Sequence, residues 1–193
     1  MTQEHVSMPH RVSARAKIIA YGAVLSVALA SLIGLDYVLP EKTSAYVTGV
    51  EVKRVDKDGP ISAENPADGP THDAYFIYTS LSGQGTEQSD RVRVFINEDT
   101  GWHWPPYFKF NSADVQAKAQ ALSKDNAEVT ITSYGWRINM FSMFPNVLGI
   151  KATKDVVVPV SLIRSVVLFI WFLLVVKGLL LCRRVIKRRE GRA

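Results

Sequence analysis

Two long apolar segments, one near each end of the 193-residue chain, constrain its fold more than any other feature. The first covers residues 18–39 and the second covers residues 156–182. About 20 apolar residues in a helix are enough to cross the hydrocarbon core of a bilayer. Because an ordinary polar sequence lies between the segments, the chain is predicted to have two transmembrane helices that flank one domain outside the membrane.

The first apolar segment has a second interpretation, a cleaved signal peptide. Ala28-Leu29-Ala30 follows a basic N-terminal region and resembles a cleavage site. The apolar run continues through SLIGL after Ala30, however, so cleavage would leave an apolar new N-terminus. An uncleaved anchor over residues 18–39, preceded by a basic tail over residues 1–17, is therefore favoured.

Two cations interrupt the second apolar segment. Arg164 and Lys177 are separated by 12 residues, and a helix of that length covers about 18 Å, too little to cross a bilayer. The long side chains of Arg and Lys can extend toward the water on either side while their stems stay in lipid. The span is therefore predicted to cover residues 160–182, followed by a second basic tail over residues 183–193.

Charge is distributed unevenly between these segments. Residues 1–17 carry a net +2 and residues 183–193 a net +5, whereas residues 40–159 contain 12 Lys/Arg and 15 Asp/Glu, a net −3. Lys and Arg beside a span are retained in the cytoplasm. Both termini are therefore predicted to be cytoplasmic. The acidic middle domain argues against a nucleic-acid-binding surface, which needs clustered Lys and Arg.

Cysteine usage points to a cellular compartment. Cys182 is the only cysteine, and it lies at the inner end of the second span. The outer domain therefore has no disulfide, which is more typical of a bacterial periplasm than of a secreted eukaryotic module. The sequence predicts a two-pass protein of a bacterial inner membrane, with residues 40–159 in the periplasm.

The outer domain is predicted to be α+β and rich in strands. A first strand begins after Thr43, with Tyr46, Val50 and Val52 on one face. Further strands are predicted over residues 73–80, 91–96, 128–134 and 146–152. With a helix between the third and fourth strands, the order β-β-β-α-β-β is that of a five-stranded OB-type barrel, although other small α+β sheets share it.

Turn-forming residues and helical spacing support this order of strands and helix. Residues 56–72 are rich in Pro, Gly and Asp and are predicted to form a long loop. Val115, Ala119 and Leu122 recur at helical spacing, so they are predicted to face the core. Asn111 or Ser112 is suited to cap the N-terminus of that helix.

The predicted spans carry two candidate packing features. Gly22, Ser26, Ala30 and Gly34 recur every fourth residue, a spacing that lets helix backbones approach closely in lipid. The partner is either the second span or another subunit. Asp36 and Arg164 lie at similar distances from the prolines at the outer ends of their spans. An intramembrane charge usually has a partner, so the two are predicted to pair.

Two aromatic segments form the candidate binding surface. Residues 97–110 read NEDTGWHWPPYFKF, and residues 134–147 read YGWRINMFSMFPNV. Packing in the core and at the end of the barrel is the favoured interpretation of such large side chains. The alternatives are a platform for a glycan, lipid or peptide, and contact with lipid headgroups. The candidate surface residues are Trp102, Trp104, Tyr107, Phe108 and Trp136.

Motifs for catalysis or metal binding are missing from the sequence. No G-x-S-x-G, phosphate-binding loop or zinc-ligand spacing occurs in a suitable context. His103 lies between two tryptophans, where a packing histidine is favoured over a metal ligand. The chain is therefore predicted to be no enzyme and to have no metal or cofactor.

Several segments of the chain resemble a known family. The segments NEDTGW and WPPYFKF (residues 97–110), the following SADVQAKAQ, and YGWR with FPN (residues 134–146) resemble the domain-of-unknown-function family 1523 of bacterial inner-membrane proteins. The resemblance includes both spans and the strand VTGVEVKR. It implies a two-span protein with an outer domain, and it implies no activity and no catalytic residue.

Two classes of function are consistent with these features. The preferred class is a non-enzymatic accessory or scaffold protein whose outer domain docks on a larger membrane complex. The alternative is a binding module outside the cytoplasm that holds a glycan, lipid or peptide on its aromatic surface. The expected partners are the lipid bilayer and a membrane protein or a second copy of the chain, and no nucleic acid.

Overall fold

The computed structural model describes residues 13–56, 59–64, 66–82, 92–153 and 161–190. The chain forms two compact units. One contains Met1–Asp36 and Ile163–Ala193, and the other contains Tyr37–Leu162. Helices α1 (Ala14–Val38) and α3 (Leu162–Glu190) are long and apolar, and a five-stranded barrel lies between them in the chain. This confirms the predicted α+β class and the two terminal apolar helices.

The second unit contains six strands and one helix, α2. In chain order they are β1 (Glu41–Asp56), β2 (Gly59–Pro60), β3 (His72–Leu81), β4 (Val92–Ile96), α2 (Ser112–Lys124), β5 (Glu128–Tyr134) and β6 (Asn146–Ala152), with a 3₁₀ turn at Asn139–Phe141. Strand β2 lies within the segment predicted to be a loop. It pairs antiparallel with the last two residues of β1.

Five of these strands close into a barrel because β1 is long enough to pair on both sides. Its first half pairs with β5 and most of its length pairs with β3. The β3–β4 and β5–β6 pairs are antiparallel, and β4 meets β6 in parallel at Ile96 and Asn146. A closed barrel leaves few strand edges open to unwanted pairing.

The prediction that Tyr46 shares a face with Val50 was wrong. The register of β1 against β3 shifts between Val47 and Gly49. A bulge of this kind inserts one residue and exchanges the two faces of the strand. Ala45 and Val47 therefore point into the core, and Val50 packs against the same core after the shift. Tyr46 points outward.

The core lies inside the barrel and under α2. It contains Ala45, Val47, Ile77, Phe95, Val115, Ala119, Val129, Ile131, Val147 and Ile150. Leu122 packs against it, so the predicted apolar stripe of α2 is confirmed. Since a small domain is held together mainly by apolar burial, this closed core accounts for the compactness of the second unit.

One end of the barrel gathers the features that matter for function. Glu41 lies opposite Ser133, Tyr134 lies opposite Asn146, and Ile96 lies beside Asn146. The loop after β4, the loop between β5 and β6, and the entry of the chain into β1 are therefore all at this end. We call it the entry end.

Helices α1 and α3 form an antiparallel pair. Trp171 Nε1 donates to Ser31 Oγ at 3.0 Å, and Lys17 Nζ lies 2.7 Å from Glu190 Oε1. Helix α3 continues past Cys182 to Glu190. The start predicted for the second span, residue 160, and Pro159 lie outside the described residues. Only Ala28 is buried among the described residues of the two helices.

Candidate functional site

Lys109 is the centre of the entry end. Its side chain is 5% exposed. The ammonium donates to Asn97 Oδ1 at 2.6 Å, to the Val147 carbonyl at 2.6 Å and to the Glu98 carbonyl at 3.0 Å. A lysine is rarely buried unless each of its donors is satisfied. Three acceptors from two separate parts of the chain therefore hold this lysine in place.

Asn97 carries the same network into α2. Its side-chain nitrogen donates to the Ser112 carbonyl at 2.8 Å and to Gln116 Oε1 at 3.2 Å. Gln116 Nε2 donates in turn to the Phe76 carbonyl at 3.3 Å. In the part of the chain that the structure describes, no buried side-chain nitrogen or oxygen lacks a hydrogen-bond partner. The network is complete, so it fixes the loop rather than straining it.

Asp99 caps α2 from outside the helix. Its carboxylate accepts from the Ser112 backbone nitrogen at 2.9 Å and from Ser112 Oγ at 3.0 Å. Asn111 occupies the N-cap position but makes no side-chain cap bond. A carboxylate is favoured there because helix N-termini carry unpaired N–H groups and partial positive charge. The predicted cap position was right, whereas the capping side chain comes from the preceding loop.

Burial sets the protonation of the central lysine. Removal from water lowers the pKa of Lys109 to about 8, against the attraction of Asp99 and Glu98, which favours the charged form. The loop thus places a cation where its environment opposes the charge.

Four aromatic rings of the loop over residues 97–110 project into solvent. Trp102 is 82% exposed, Trp104 77%, Phe110 59% and Phe108 54%. The ring of Trp102 contacts those of Phe108 and Phe110 at centroid distances of 5.2 and 6.1 Å. The interpretation of these four residues as core aromatics was wrong, because the buried positions of the loop are Asn97, Thr100, Pro105 and Lys109. We call these four rings the aromatic rim.

The backbone of the loop turns so as to direct the rim outward. Gly101 has φ +53° and Phe108 has φ +50°. A bulky residue in the left-handed region is uncommon and strained. Thr100 accepts from the Lys109 backbone nitrogen at 3.1 Å, and Gly101 donates to the Lys109 carbonyl at 3.1 Å. These bonds hold the neck of the loop closed while Phe108 stays exposed.

The other predicted surface residues form a separate, half-buried group. Tyr107 stacks on Tyr134 at 4.9 Å and donates its hydroxyl to the Val38 carbonyl. Trp136 contacts the ring of Tyr37 at 5.3 Å. Burial raises the pKa of Tyr107 to about 12, so this hydroxyl remains a donor. The predicted surface therefore divides into an exposed rim and this group, which fastens Tyr37 and Val38 to the barrel.

A groove of about 450 Å³ lies on the outer face of β1, β3 and β4. Its apolar floor includes Phe76, Val94 and Ile96, and Phe144 from the loop between β5 and β6 forms one side. The Arg137 guanidinium lies 4.0 Å from the centre of the Phe144 ring. This is a concave apolar site with a few charged groups, the usual composition of a small-ligand pocket.

The small-residue stripe of α1 does not face α3. Gly22, Ser26, Ala30 and Gly34 are all exposed, and a Cβ at Gly22 or Gly34 would meet nothing within 4 Å. The contact with α3 involves another face of the helix. On that face Val24 of α1 lies next to Gly178 of α3. A Cβ added at Gly178 would lie 3.8 Å from the Val24 side chain. Among the described residues, α3 therefore makes no close contact with Gly22 or Gly34, and the partner of the stripe stays a prediction.

Asp36 and Arg164 lie together in the helix pair. Arg164 Nη2 donates a hydrogen bond to Asp36 Oδ1, so the two side chains form an ion pair. Both side chains are only partly shielded, 44% and 28% exposed respectively. The contact joins α1 to α3 near the start of α3.

A double-mutant cycle tests this contact. Asp36→Ala and Arg164→Ala are each expected to lower the stability of the detergent-solubilised chain by about 1–2 kcal/mol, between the values typical of exposed and buried pairs. The double variant should cost less than the sum, and the exchange Asp36→Arg with Arg164→Asp should recover part of the loss. Lys177→Ala, on the exposed side of α3, is the matched control. Strict additivity in thermal melts would show that the two charges do not interact.

The acidic side chains at the entry end do not gather into a metal centre. His72 Nε2 lies 3.8 Å from Glu98 Oε1, and Asp99 is engaged with α2. Among the residues that the structure describes, no group of three His, Cys, Asp or Glu side chains is arranged to hold a metal ion.

Several residues of this site were not predicted from the sequence. Lys109, Asn97, Asp99, Thr100 and Asn146 carry the hydrogen bonds that shape it. Asn146 pairs with the backbone of Glu98 through both its side-chain oxygen and nitrogen, at 3.0 and 3.1 Å. One signal was available: Lys109 is the only charge between Asp99 and Asp114 in an otherwise aromatic segment. A lone lysine in such surroundings is a candidate for burial.

Comparison with known proteins gives a family and no activity. The model of a family of proteins of unknown function, DUF1523, matches residues 16–189. An uncharacterized protein of Haemophilus influenzae is 48% identical over 139 residues, which cover 72% of this chain and 76% of that protein. No solved structure matches. The resemblance noted in the sequence is thus confirmed, and the chain belongs to the DUF1523 family.

Proposed function

We propose that the chain is a two-span membrane protein and that it acts as a non-enzymatic accessory or scaffold whose barrel domain docks on a larger membrane complex. The observation that carries this proposal is the state of α1 and α3. They pack on each other along one face, yet apolar side chains such as Ile18, Leu29, Phe169 and Leu173 remain exposed around them. Helices that are apolar all round need lipid or protein to cover them.

The proposed topology follows from charge. The basic tails place both termini in the cytoplasm, and the acidic stretch over residues 40–159 lies outside, in the periplasm of a bacterial inner membrane. This arrangement leaves the barrel and the outer ends of both helices available to other proteins of the same membrane.

The uncovered stripe on α1 supports docking rather than a self-sufficient helix pair. Close backbone approach at Gly or Ser positions stabilises helix contacts in lipid, and α3 does not use the stripe. Larger side chains in the stripe should therefore weaken binding of a partner helix without disturbing the α1–α3 contact.

Co-purification of the tagged full-length chain from mild detergent tests the proposal. A protein partner in fixed ratio is the expected result. Combining Gly22→Leu with Gly34→Leu should reduce its recovery about tenfold, as expected for roughly 1.4 kcal/mol of lost helix packing. The melting temperature should stay unchanged. Ala16→Leu, which adds apolar bulk away from the stripe, is the control. Recovery of the chain without any stoichiometric protein would contradict the docking function.

A binding module is the second candidate function, and the groove beside Phe144 favours it. The strand pairing of the barrel is that of an OB-type fold, whose sheet faces bind oligosaccharides and oligonucleotides. The acidic domain and its proposed periplasmic location favour a glycan, lipid or peptide. A small molecule seen by native mass spectrometry in the same detergent preparation, and lost on Phe76→Ala, would support this function.

A further inference from the structure

The aromatic rim is an exposed apolar surface without a role in the barrel. Trp102, Trp104, Phe108 and Phe110 are each more than half exposed. At the same end, the 3₁₀ turn exposes Met140 (81%) and Phe141 (64%). Exposed apolar patches of this kind mark surfaces that contact a protein or a membrane. The question is which of these covers the rim.

The rim is held rigidly in place. The buried ammonium of Lys109 and the Thr100 bond close the neck of the loop, and Phe108 keeps a left-handed backbone that exposes its ring. A loop with a purely structural role could turn these rings inward. In this loop the backbone conformation at Phe108 leaves the ring exposed.

The entry end is joined directly to an apolar helix. Helix α1 ends at Val38 and β1 begins at Glu41. Leu39 is buried, the Val38 carbonyl accepts from Tyr107, and the Tyr37 carbonyl accepts from Gly135 at 2.9 Å. The loop that binds Val38 is therefore the loop that carries the rim.

The connection from the barrel to α3 is longer. Strand β6 ends at Ala152 and α3 begins at Leu162, so nine residues, 153–161, join them. In sequence, two residues separate the entry end from the end of α1, whereas nine residues separate β6 from α3.

We propose that the aromatic rim inserts into the lipid headgroup region of the bilayer that α1 crosses. Trp is enriched at that depth because its ring is apolar and its N–H group is polar. The rim would seat the barrel on the membrane and fix its orientation toward a docking partner. This inference rests on the proposed two-span topology.

Tryptophan quenching in lipid nanodiscs tests the proposal on the full-length chain. The chain contains tryptophans at positions 102, 104, 136 and 171. One variant keeps only Trp102, with the other three changed to Phe. A second keeps only Trp171, at the midpoint of the predicted span over residues 160–182. A third lacks all four and carries Val92→Trp, at an exposed position at the opposite end of the barrel. Unchanged melting temperatures establish that each variant folds.

Each variant is exposed to lipids with a spin label near the headgroup, to lipids labelled near the acyl-chain end, and to aqueous iodide. We expect the headgroup label to quench Trp102 at least about twofold more than the acyl-end label does, with weak quenching by iodide. Trp171 should be quenched most by the acyl-end label, and Val92→Trp by iodide alone.

Three results would overturn an assignment, and they are distinguishable. Strong iodide quenching of Trp102 without lipid quenching would show that the rim faces water. Protection from both iodide and lipid would show that a protein, such as a second copy of the chain, covers it. Either result with normal quenching of Trp171 removes the inference alone. Failure of either lipid label to quench Trp171 would instead remove the proposed topology.

Discussion

Lys109→Met is expected to lower the free energy of unfolding of the barrel unit by about 2–3 kcal/mol at neutral pH. The variant removes the ammonium donor from three acceptors, of which the Glu98 carbonyl keeps its bond from Asn146 Nδ2. Each buried acceptor left without a donor costs about 1–3 kcal/mol. Against this, methionine relieves the burial of a charge. A pKa of about 8 in place of 10.5 corresponds to roughly 3 kcal/mol of relief. The lost hydrogen bonds outweigh that relief.

The measurement is a thermal melt of the full-length chain in detergent, followed by the circular dichroism of the strands. A loss of this size should lower the melting temperature by about 10 °C in a unit of this length. Lys118→Met, at an exposed position of α2, is the matched control, and it should change stability by less than about 0.5 kcal/mol. Equal stability of the Lys109 and Lys118 variants would show that the network contributes nothing.

Stability of the barrel unit is expected to increase with pH between about 8 and 10.5. In the folded state Lys109 has a pKa of about 8, and the ordinary value is 10.5. Between these values the unfolded chain binds more protons than the folded chain, so raising the pH favours folding. The full gain is about 3 kcal/mol, reached near the upper limit.

The titration of Tyr107 limits the increase in stability at high pH. Burial raises the pKa of Tyr107 to about 12 from an ordinary value of 10. Above pH 10 the unfolded tyrosine ionises first, so the folded chain binds more protons and stability falls with further increase in pH. A maximum near pH 10 in denaturant midpoints is expected. Lys109→Met should abolish the rise and keep the fall, whereas a stability that decreases from pH 8 upward in the parent chain would contradict the assignment.

The fold was largely predictable because its signals are local. Apolar length identifies α1 and α3, and the spacing of Val115, Ala119 and Leu122 identifies α2. Alternation identified strands, but it failed at the β1 bulge. A bulge adds a residue without leaving a mark in the pattern of apolar residues, so Tyr46 was assigned to the wrong face.

The site was predictable in its location and not in its construction. The aromatic segment was recognised as distinctive, yet its rings were expected in the core. Their exposure depends on a lysine whose acceptors come from Asn97, Glu98 and Val147, and such long-range bonds have no sequence period. The capping of α2 by Asp99 shows the same limit, since the nearer polar residue at the N-cap position, Asn111, makes no cap bond.

The chain is proposed to cross a membrane twice with its barrel outside the cytoplasm. Labelling of single cysteines in intact cells with a membrane-impermeant maleimide tests this most directly. In a Cys182→Ala background, Ala67→Cys in the exposed loop before β3 should be labelled in intact cells, and Ser13→Cys at the start of α1 only after the inner membrane is permeabilised. Labelling of Ser13→Cys but not of Ala67→Cys in intact cells, or equal labelling of both, would contradict the account.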